Sequence, residues 1–472
     1  MTTSVDVAGH PAAEGSRRWG RRLWPSRLIL LLILGVYFVI LLSVGGPSQW
    51  GYLGVAGAPV SFWDLHSLTG AWECTRRGVD VVLVDPCDPG RPYNLPRIWL
   101  LLAFLGLGPG STVVLGIILA AVFLAVAVIV LPASSRPSEA VFYGLVLCSP
   151  SVMLGVERGN VDILLFVMVV IAVLLFRRSE RARILAHALI LLAAMLKLYP
   201  IFAAGTLLRQ QARRALIGFG AVVGTFLVYA FVIRSDIRTI ERITPQLNAF
   251  SYGFRMFAEW LNGEGRSILG DHSYRAWEDG VTALIIAATL LGRLGRLGRL
   301  GHATRASSPA ARRDLDLFVA GAGIYVSTYY LIRSFDYRLA FLLLTIPQLL
   351  RWARERRPLA LVTLTALFAS MWLDYLMTDG IPDLGNWLAD WNRLFTFAPY
   401  NQPLALAVIA QLILYAGLLG CLVTTAADGL RRPIAPSRTP RSERGPDSRP
   451  HPHRHDPRHR RRRPPRAGSR PL

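Results

Sequence analysis

Apolar stretches recur along most of the chain, separated by short polar clusters in which arginine dominates. The first runs from Leu28 to Val44, and eleven more cover about 110–132, 139–154, 160–176, 183–196, 200–208, 214–233, 280–292, 315–332, 338–350, 358–376 and 402–424. Several exceed the ~18 apolar residues that mark a membrane span. The pattern predicts an all-α integral membrane protein of about 12 transmembrane helices, with large loops outside the cytoplasm.

Arginine placement orients these segments. Arg17, Arg18, Arg21, Arg22 and Arg27 precede the first apolar run, and Gly45-Gly46-Pro47-Ser48 after it is a poor cleavage site. That combination predicts a signal anchor with a cytoplasmic N-terminus. Alternating sides from there puts Arg136, the cluster Arg177-Arg178-Arg181-Arg183, Arg209-Arg213-Arg214, the 293–313 loop and Arg351-Arg354-Arg356-Arg357 in the cytoplasm. The expected division is a cytoplasmic segment 1–27, a polytopic domain 28–425 with external loops 46–97, 234–279 and 377–401, and a cytoplasmic tail 426–472.

Two segments are too short for simple spans. Residues 183–208 lie between arginine clusters that both belong in the cytoplasm, yet they fall short of two spans of ~20 residues. A pair of short helices turning at Lys197-Leu198-Tyr199-Pro200 resolves this, because proline removes a backbone donor and stops the first helix. One continuous kinked span with a snorkelling lysine is the alternative. Trp99 to Leu107 is apolar but ends in Gly108-Pro109-Gly110, which suits a juxtamembrane helix lying against the bilayer.

Composition sharpens the class. Of 472 residues 53% are hydrophobic and 17% charged, against ~25% charged in soluble domains, and mean hydropathy is +0.39. Disorder and an ordinary soluble enzyme are both excluded. Half of the net charge of +22 sits in residues 431–472, where 14 Arg face only Glu443, Asp447 and Asp456. That tail cannot bury a core and is expected to be disordered and drawn to anionic inner-leaflet lipid. Its His451, His453, His455 and His459 offer adventitious metal ligands only. Residues 292–301 repeat Arg-Leu-Gly three times, as a low-complexity linker would. Neither basic segment interleaves aromatics, so no nucleic-acid partner is expected.

Candidate chemistry concentrates in the external loops and their edges. Ser61-Phe62-Trp63-Asp64-Leu65-His66 sets a carboxylate among aromatics shortly after the first span; Asp64 could serve as a general base toward a hydroxyl, or cap a helix over 65–76. Cys74 and Cys87, in an oxidising exterior, would close a loop of roughly 14 residues with a disulfide contributing about 3 kcal/mol. Cys148 and Cys421 fall within apolar segments as core thiols.

The polar run Gly155-Val156-Glu157-Arg158-Gly159-Asn160-Val161-Asp162 leads straight into an apolar helix. It reads as an interfacial turn, with Glu157 balancing Arg158 and Asn160 as cap, or as one wall of a polar cavity. The second reading draws on Lys197, the single lysine beside 51 arginines, and on Arg255, Arg333, Asp336 and Arg338, all assigned to the same side. Ionisable groups at membrane depth usually mark a functional site, and four convergent cations suit a phosphate or diphosphate. No phosphate-binding loop, nucleophile elbow or zinc-protease motif is present.

With these features the chain resembles the GT-C membrane glycosyltransferases that use polyprenyl-phosphate sugars. Residues 157–162, followed about 35 residues later by Leu196-Lys197-Leu198-Tyr199-Pro200, are similar to the branch of actinobacterial polyprenyl-phosphomannose-dependent α-mannosyltransferases; the likeness spans about 25–425. It implies inverting transfer of a sugar, with mannose the first expectation, from a polyprenyl-phosphate sugar donor to a hydroxyl of a lipid-linked or envelope glycan acceptor on the outer face. Asp64 matches the loop-one base and Lys197 is the candidate for the donor phosphate, with Arg255 and Arg338 as further phosphate ligands. Trp63, His66, Glu157, Arg158, Asn160, Asp162, Tyr199, Arg333 and Asp336 are the expected substrate contacts. Loop one lacks an Asp-x-Asp or Glu-x-Asp pair, so a metal-independent reaction without cofactor is expected. A transporter or flippase of a phosphate-bearing lipid is the rival, although no internal repeat is evident.

Overall fold

The computed structural model describes residues 12–44, 49–83, 85–89, 91–130, 136–210, 212–244, 251–257, 274–294, 308–331, 334–375 and 405–430. Arg333, the 377–401 loop and the tail beyond 430 lie outside these. The described residues form helices almost throughout: α1 Ala12–Val44, α2 Trp63–Arg76, α3 Thr112–Val130, α4 Pro137–Leu147, α5 Pro150–Arg158, α6 Val161–Leu175, α7 Glu180–Leu196, α8 Ala212–Val232, α9 Arg234–Ile243, α10 Tyr274–Leu294, α11 Pro309–Leu331, α12 Ile346–Arg354, α13 Pro358–Tyr375 and α14 Ala405–Leu430. Longer 3-10 segments cover Arg97–Leu105, Tyr199–Arg209 and Asp336–Leu344, and two short strands, β1 Ser251–Tyr252 and β2 Ser334–Phe335, pair antiparallel.

Local sequence explains the breaks. Pro150 opens α5 directly after α4, and the two helices meet at a bend of 47°. Ser179 caps α7 by accepting from Ala182 N, and Asn160 caps α6 by accepting from Asp162 N at 2.9 Å. At Lys197 the backbone turns extended and α7 stops, so residues 183–208 form two elements joined at the Lys-Leu-Tyr-Pro turn.

Among the described residues, four helices are long and apolar enough to cross a membrane, over 26–43, 109–129, 213–232 and 406–428, and the bent pair 137–158 makes a fifth if it is one span. Of the other expected segments, Val161–Leu175 and Pro358–Leu373 form shorter apolar helices. At about 1.5 Å per residue α6 is about 22 Å long, less than the ~30 Å of a bilayer core. The outward faces of α1, α3 and α8 are apolar, with Leu32, Val114 and Phe231 each more than 60% exposed. Such faces are at home in lipid.

Salt bridges gather the arginine clusters at one end of the bundle. Arg177 and Arg209 both bind the buried Asp316, Arg313 and Arg351 bind Asp314, and Arg354 binds Glu139 through two 2.6 Å hydrogen bonds. Among the described residues, at least five arginines share these three carboxylates. The chain then runs along α6 and returns along α7 to a second polar end. There Asp162 starts α6, Lys197 ends α7, and Asp336 begins the 3-10 segment that follows β2. Between the two ends the core is apolar, built by Phe166 of α6, Phe318 and Tyr325 of α11, and Phe341.

Loop one packs on the second end. Cys74 of α2 is disulfide-bonded to Cys87. The 3-10 segment Arg97–Leu105 folds onto α2 with Trp99 buried, while Leu101 and Phe104 stay 67% and 79% exposed. The Trp99 indole donates to Leu196 O at 2.8 Å, which ties the loop to the residue before Lys197. Arg97 clamps Asp80 through hydrogen bonds of 2.8 and 2.9 Å and lies 3.1 Å from Asp236 of α9. Those hydrogen bonds hold the Asp80 carboxyl below its usual range.

Candidate active site

Helix α2 begins two residues earlier than a cap at Asp64 requires. Phe62, in the left-handed region at φ 55°, precedes the helix, and Asp64 falls in its first turn. The capping reading of Asp64 is therefore corrected: its carboxylate reaches away from its own helix. Oδ1 accepts from Arg91 Nη2 at 2.8 Å, and Oδ2 from Asn160 Nδ2 at 2.5 Å. The side chain stays 22% exposed.

The approach of α2 to the 155–162 run depends on Gly159. Its φ is +58°, and an added Cβ would lie 3.0 Å from Phe62 Cβ and 3.1 Å from Leu65 Cβ. A glycine there carries no side chain into this gap and adopts the left-handed turn without strain, which favours the approach that brings Asn160 to Asp64. Phe62 itself packs over Gly116 of α3.

Arg91 was not singled out by the sequence, and it organises this corner. Its Nη1 donates to Trp63 O at 2.9 Å and to Ser67 Oγ at 2.8 Å. Its guanidinium lies 4.3 Å from the Trp63 ring centroid, and that of Arg158 lies 5.1 Å from the same centroid. Ser67 also hydrogen-bonds Asp88, next to the disulfide-bonded Cys87. The arm after the disulfide is thereby fastened to the first turns of α2. The sequence offered one signal: the arm 85–91 holds two carboxylates and an arginine just past a cysteine.

Asp162, two residues beyond Asn160, is fully buried and joins the second half of the site. Its Oδ1 accepts from Lys197 Nζ, and its Oδ2 lies 3.4 Å from Arg338 Nε. The latter contact is an ion pair without a hydrogen bond, and neither atom has a hydrogen-bond partner among the described residues. Arg338 also donates to Ser334 Oγ at 3.0 Å and lies over the Tyr199 ring at 4.9 Å, while Lys197 lies 5.4 Å from the Tyr337 centroid. Two cations thus share one carboxylate between tyrosine faces.

Glu157 and Arg158 pair with each other at 3.0 Å, and Glu157 accepts from Ala58 N at 2.7 Å. Asp336 is buried at the head of its 3-10 segment. His66 is half-buried two residues beyond Asp64. Arg255 follows β1 and is exposed. Asp85 comes close to Cys74 and Cys87, but both sulfurs are committed to the disulfide, which leaves no metal-ligating set there.

The arrangement offers a partly exposed, oriented carboxylate beside a compact pair of cations. A hydroxyl can approach the first, and an anionic leaving group the second. Residues 97–328 match the model of glycosyltransferase family 87, a GT-C-like family of membrane glycosyltransferases. The match supports glycosyltransferase activity in general and does not reach the choice of sugar. It takes in Glu157 to Asp162, Lys197 and Arg255, whereas Asp64 and Arg338 fall outside it. No curated protein and no solved structure matches the chain.

Proposed function

We propose that the protein transfers a sugar, mannose in the first instance, from a polyprenyl-phosphate donor to a hydroxyl of a lipid-linked or envelope glycan acceptor. Transfer inverts the anomeric carbon, with Asp64 as general base. One observation carries this reading: Asn160 and Asp162, two residues apart, join the oriented Asp64 carboxylate to the Lys197–Arg338 pair in a single wall.

The chemistry follows from the groups. An ionised carboxylate has about four acceptor positions, so Arg91 and Asn160 leave room for a third hydrogen bond from the acceptor hydroxyl. Asp64 takes that proton as the hydroxyl oxygen bonds to the anomeric carbon. The bond from that carbon to the donor's phosphate oxygen breaks, and the phosphate keeps the electron pair. Lys197 and Arg338 hold the charge that builds on it, preorganised by Asp162 at no reorganisation cost during the reaction. Trp63 and His66 flank the sugar, and Tyr199 and Tyr337 line the phosphate end. The disulfide in loop one supports an extracytoplasmic site, since disulfides persist in oxidising compartments. No observation favours transport or flipping of a phosphate-bearing lipid.

Proteoliposomes carrying the protein and radiolabelled polyprenyl-phosphate mannose test the reading. With an envelope lipid extract as acceptor, label should move into a glycolipid in the opposite anomeric configuration, with release of polyprenyl phosphate. Movement of intact donor across the bilayer without cleavage would establish the transporter instead.

A further inference from the structure

A second set of buried polar groups lies where α10, α11 and α14 meet. Glu278 of α10 is 7% exposed, and its Oε1 has no hydrogen-bond partner among the described residues. Tyr329 Oη of α11 and Gln411 Nε2 of α14, in residues 1% exposed, have none among the described residues either. Contacts around them draw the three together. Tyr329 stacks on Tyr415 with ring centroids 4.7 Å apart, Gln411 lies one turn from Tyr415, and the Tyr415 hydroxyl pairs at 2.8 Å with Thr282, one turn from Glu278. At the rim the exposed Asp279 accepts from the Tyr330 hydroxyl.

Polar groups buried in an apolar bundle are ordinarily satisfied, and ionisable ones there are usually functional. Here an acceptor, an amide donor and a phenol that can do either are left without partners beside stacked rings. That mixture complements hydroxyls on a ring with apolar faces. An anion does not fit, because Glu278 and Asp279 are adjacent carboxylates. Packed tyrosines connect the cluster to the proposed active site: Tyr325 lies 5.8 Å from Tyr329, tilted against it, and stacks at 5.3 Å on Tyr252, whose strand pairs with Ser334, the residue that binds Arg338.

We propose that this cluster binds one sugar unit of the acceptor, distal to the hydroxyl that reacts, with Glu278 and Gln411 reading its hydroxyls. The proposal rests on the glycosyltransferase reading and adds a requirement for an acceptor of more than one sugar. The cluster meets the proposed active site through Tyr325, Tyr252 and Ser334 and not through Asp64, so its occupant is not the reacting unit.

Full-length protein in lipid nanodiscs can be examined by saturation-transfer NMR with methyl α-mannoside and methyl β-glucoside as probes, alongside binding of polyprenyl phosphate. The wild-type chain should bind at least one glycoside. Glu278→Gln, which keeps the shape, and Gln411→Leu should each weaken that binding about tenfold, as expected for a lost hydrogen bond. Both should leave polyprenyl-phosphate binding and thermal stability unchanged. Equal glycoside binding by both variants would overturn the proposal, as would no glycoside binding by the wild type, or a Glu278-dependent response to sodium ion alone. Glycoside binding that depends on Glu278 in a protein that does not turn over polyprenyl-phosphate mannose would uphold the sugar site and reject the donor assignment.

Discussion

Arg91 holds Asp64 with one nitrogen and the Trp63 carbonyl with the other, so without it the carboxylate is free to turn away from an incoming hydroxyl. Arg91→Ala should lower turnover about tenfold to a hundredfold with the KM for donor unchanged, in line with the 1.5–3 kcal/mol of a charge-assisted hydrogen bond. Arg91→Lys should recover only part, because lysine lacks the planar fork that serves both partners; a raised donor KM with normal turnover would instead place Arg91 at the phosphate. Lys197 calls for the opposite split. Lys197→Ala removes one cation from the proposed phosphate site and should raise the donor KM roughly ten- to a hundredfold. It also leaves buried Asp162 with Arg338 alone and so endangers the fold. Lys197→Arg keeps the pair and separates the two effects: it should restore thermal stability fully and donor use in part. Asp64, Lys197 and Arg338 could be singled out from sequence because each is an ionisable group at the edge of an apolar run. Arg91 could not, because its partner lies 27 residues away across a loop whose course is set by a disulfide and by the glycine approach at Gly159.

Among the elements, the 183–208 pair was legible because Lys-Leu-Tyr-Pro combines a charge with a residue that cannot continue a helix, and α7 ends there. Helix existence followed from apolar run length. The 3-10 form of Tyr199–Arg209 and Asp336–Leu344 did not, since hydropathy carries no record of which carbonyl an amide selects. The start of α2 also escaped, because Asp64 looks like a cap in sequence while the turn is made by Phe62 in a left-handed conformation, rare for a bulky residue. Loop one depends on its staple: opening Cys74–Cys87 by Cys87→Ser should lower stability by about 3 kcal/mol on the chain-entropy estimate. It should also reduce transfer, because the arm bearing Asp88 and Arg91 loses its anchor. Thermal melting with and without reductant measures this; a wild-type melting temperature indifferent to reductant would remove the disulfide from loop-one stability. The Arg97–Asp80 clamp weakens on acidification. The depressed carboxyl makes its contribution above the usual carboxylate range and loses it as the pH falls through the lowered value.

For the whole molecule, the arginine clusters that sequence alone assigns to one side do meet at one end of the bundle, on Glu139, Asp314 and Asp316, while the candidate site occupies the other. The pattern could give this grouping because lipid penalises buried charge so heavily that each cluster must find a polar end. It could not give the pairings, which depend on helix packing. If the site end is extracytoplasmic, a membrane-impermeant maleimide on intact cells should label Cys74 and Cys87 only after reduction, and Cys148 and Cys421 only after detergent. Labelling of loop one only in opened cells would invert the molecule. Most direct for the proposed chemistry is transfer by Asp64→Asn in proteoliposomes with polyprenyl-phosphate mannose and envelope lipid. The amide keeps the shape of the carboxylate but accepts no proton, and general-base assistance is typically worth ~10²–10⁴ in rate. Turnover should fall by that factor while donor binding and melting temperature hold; a folded Asp64→Asn protein that turns over at the wild-type rate would contradict the assignment of Asp64 as base.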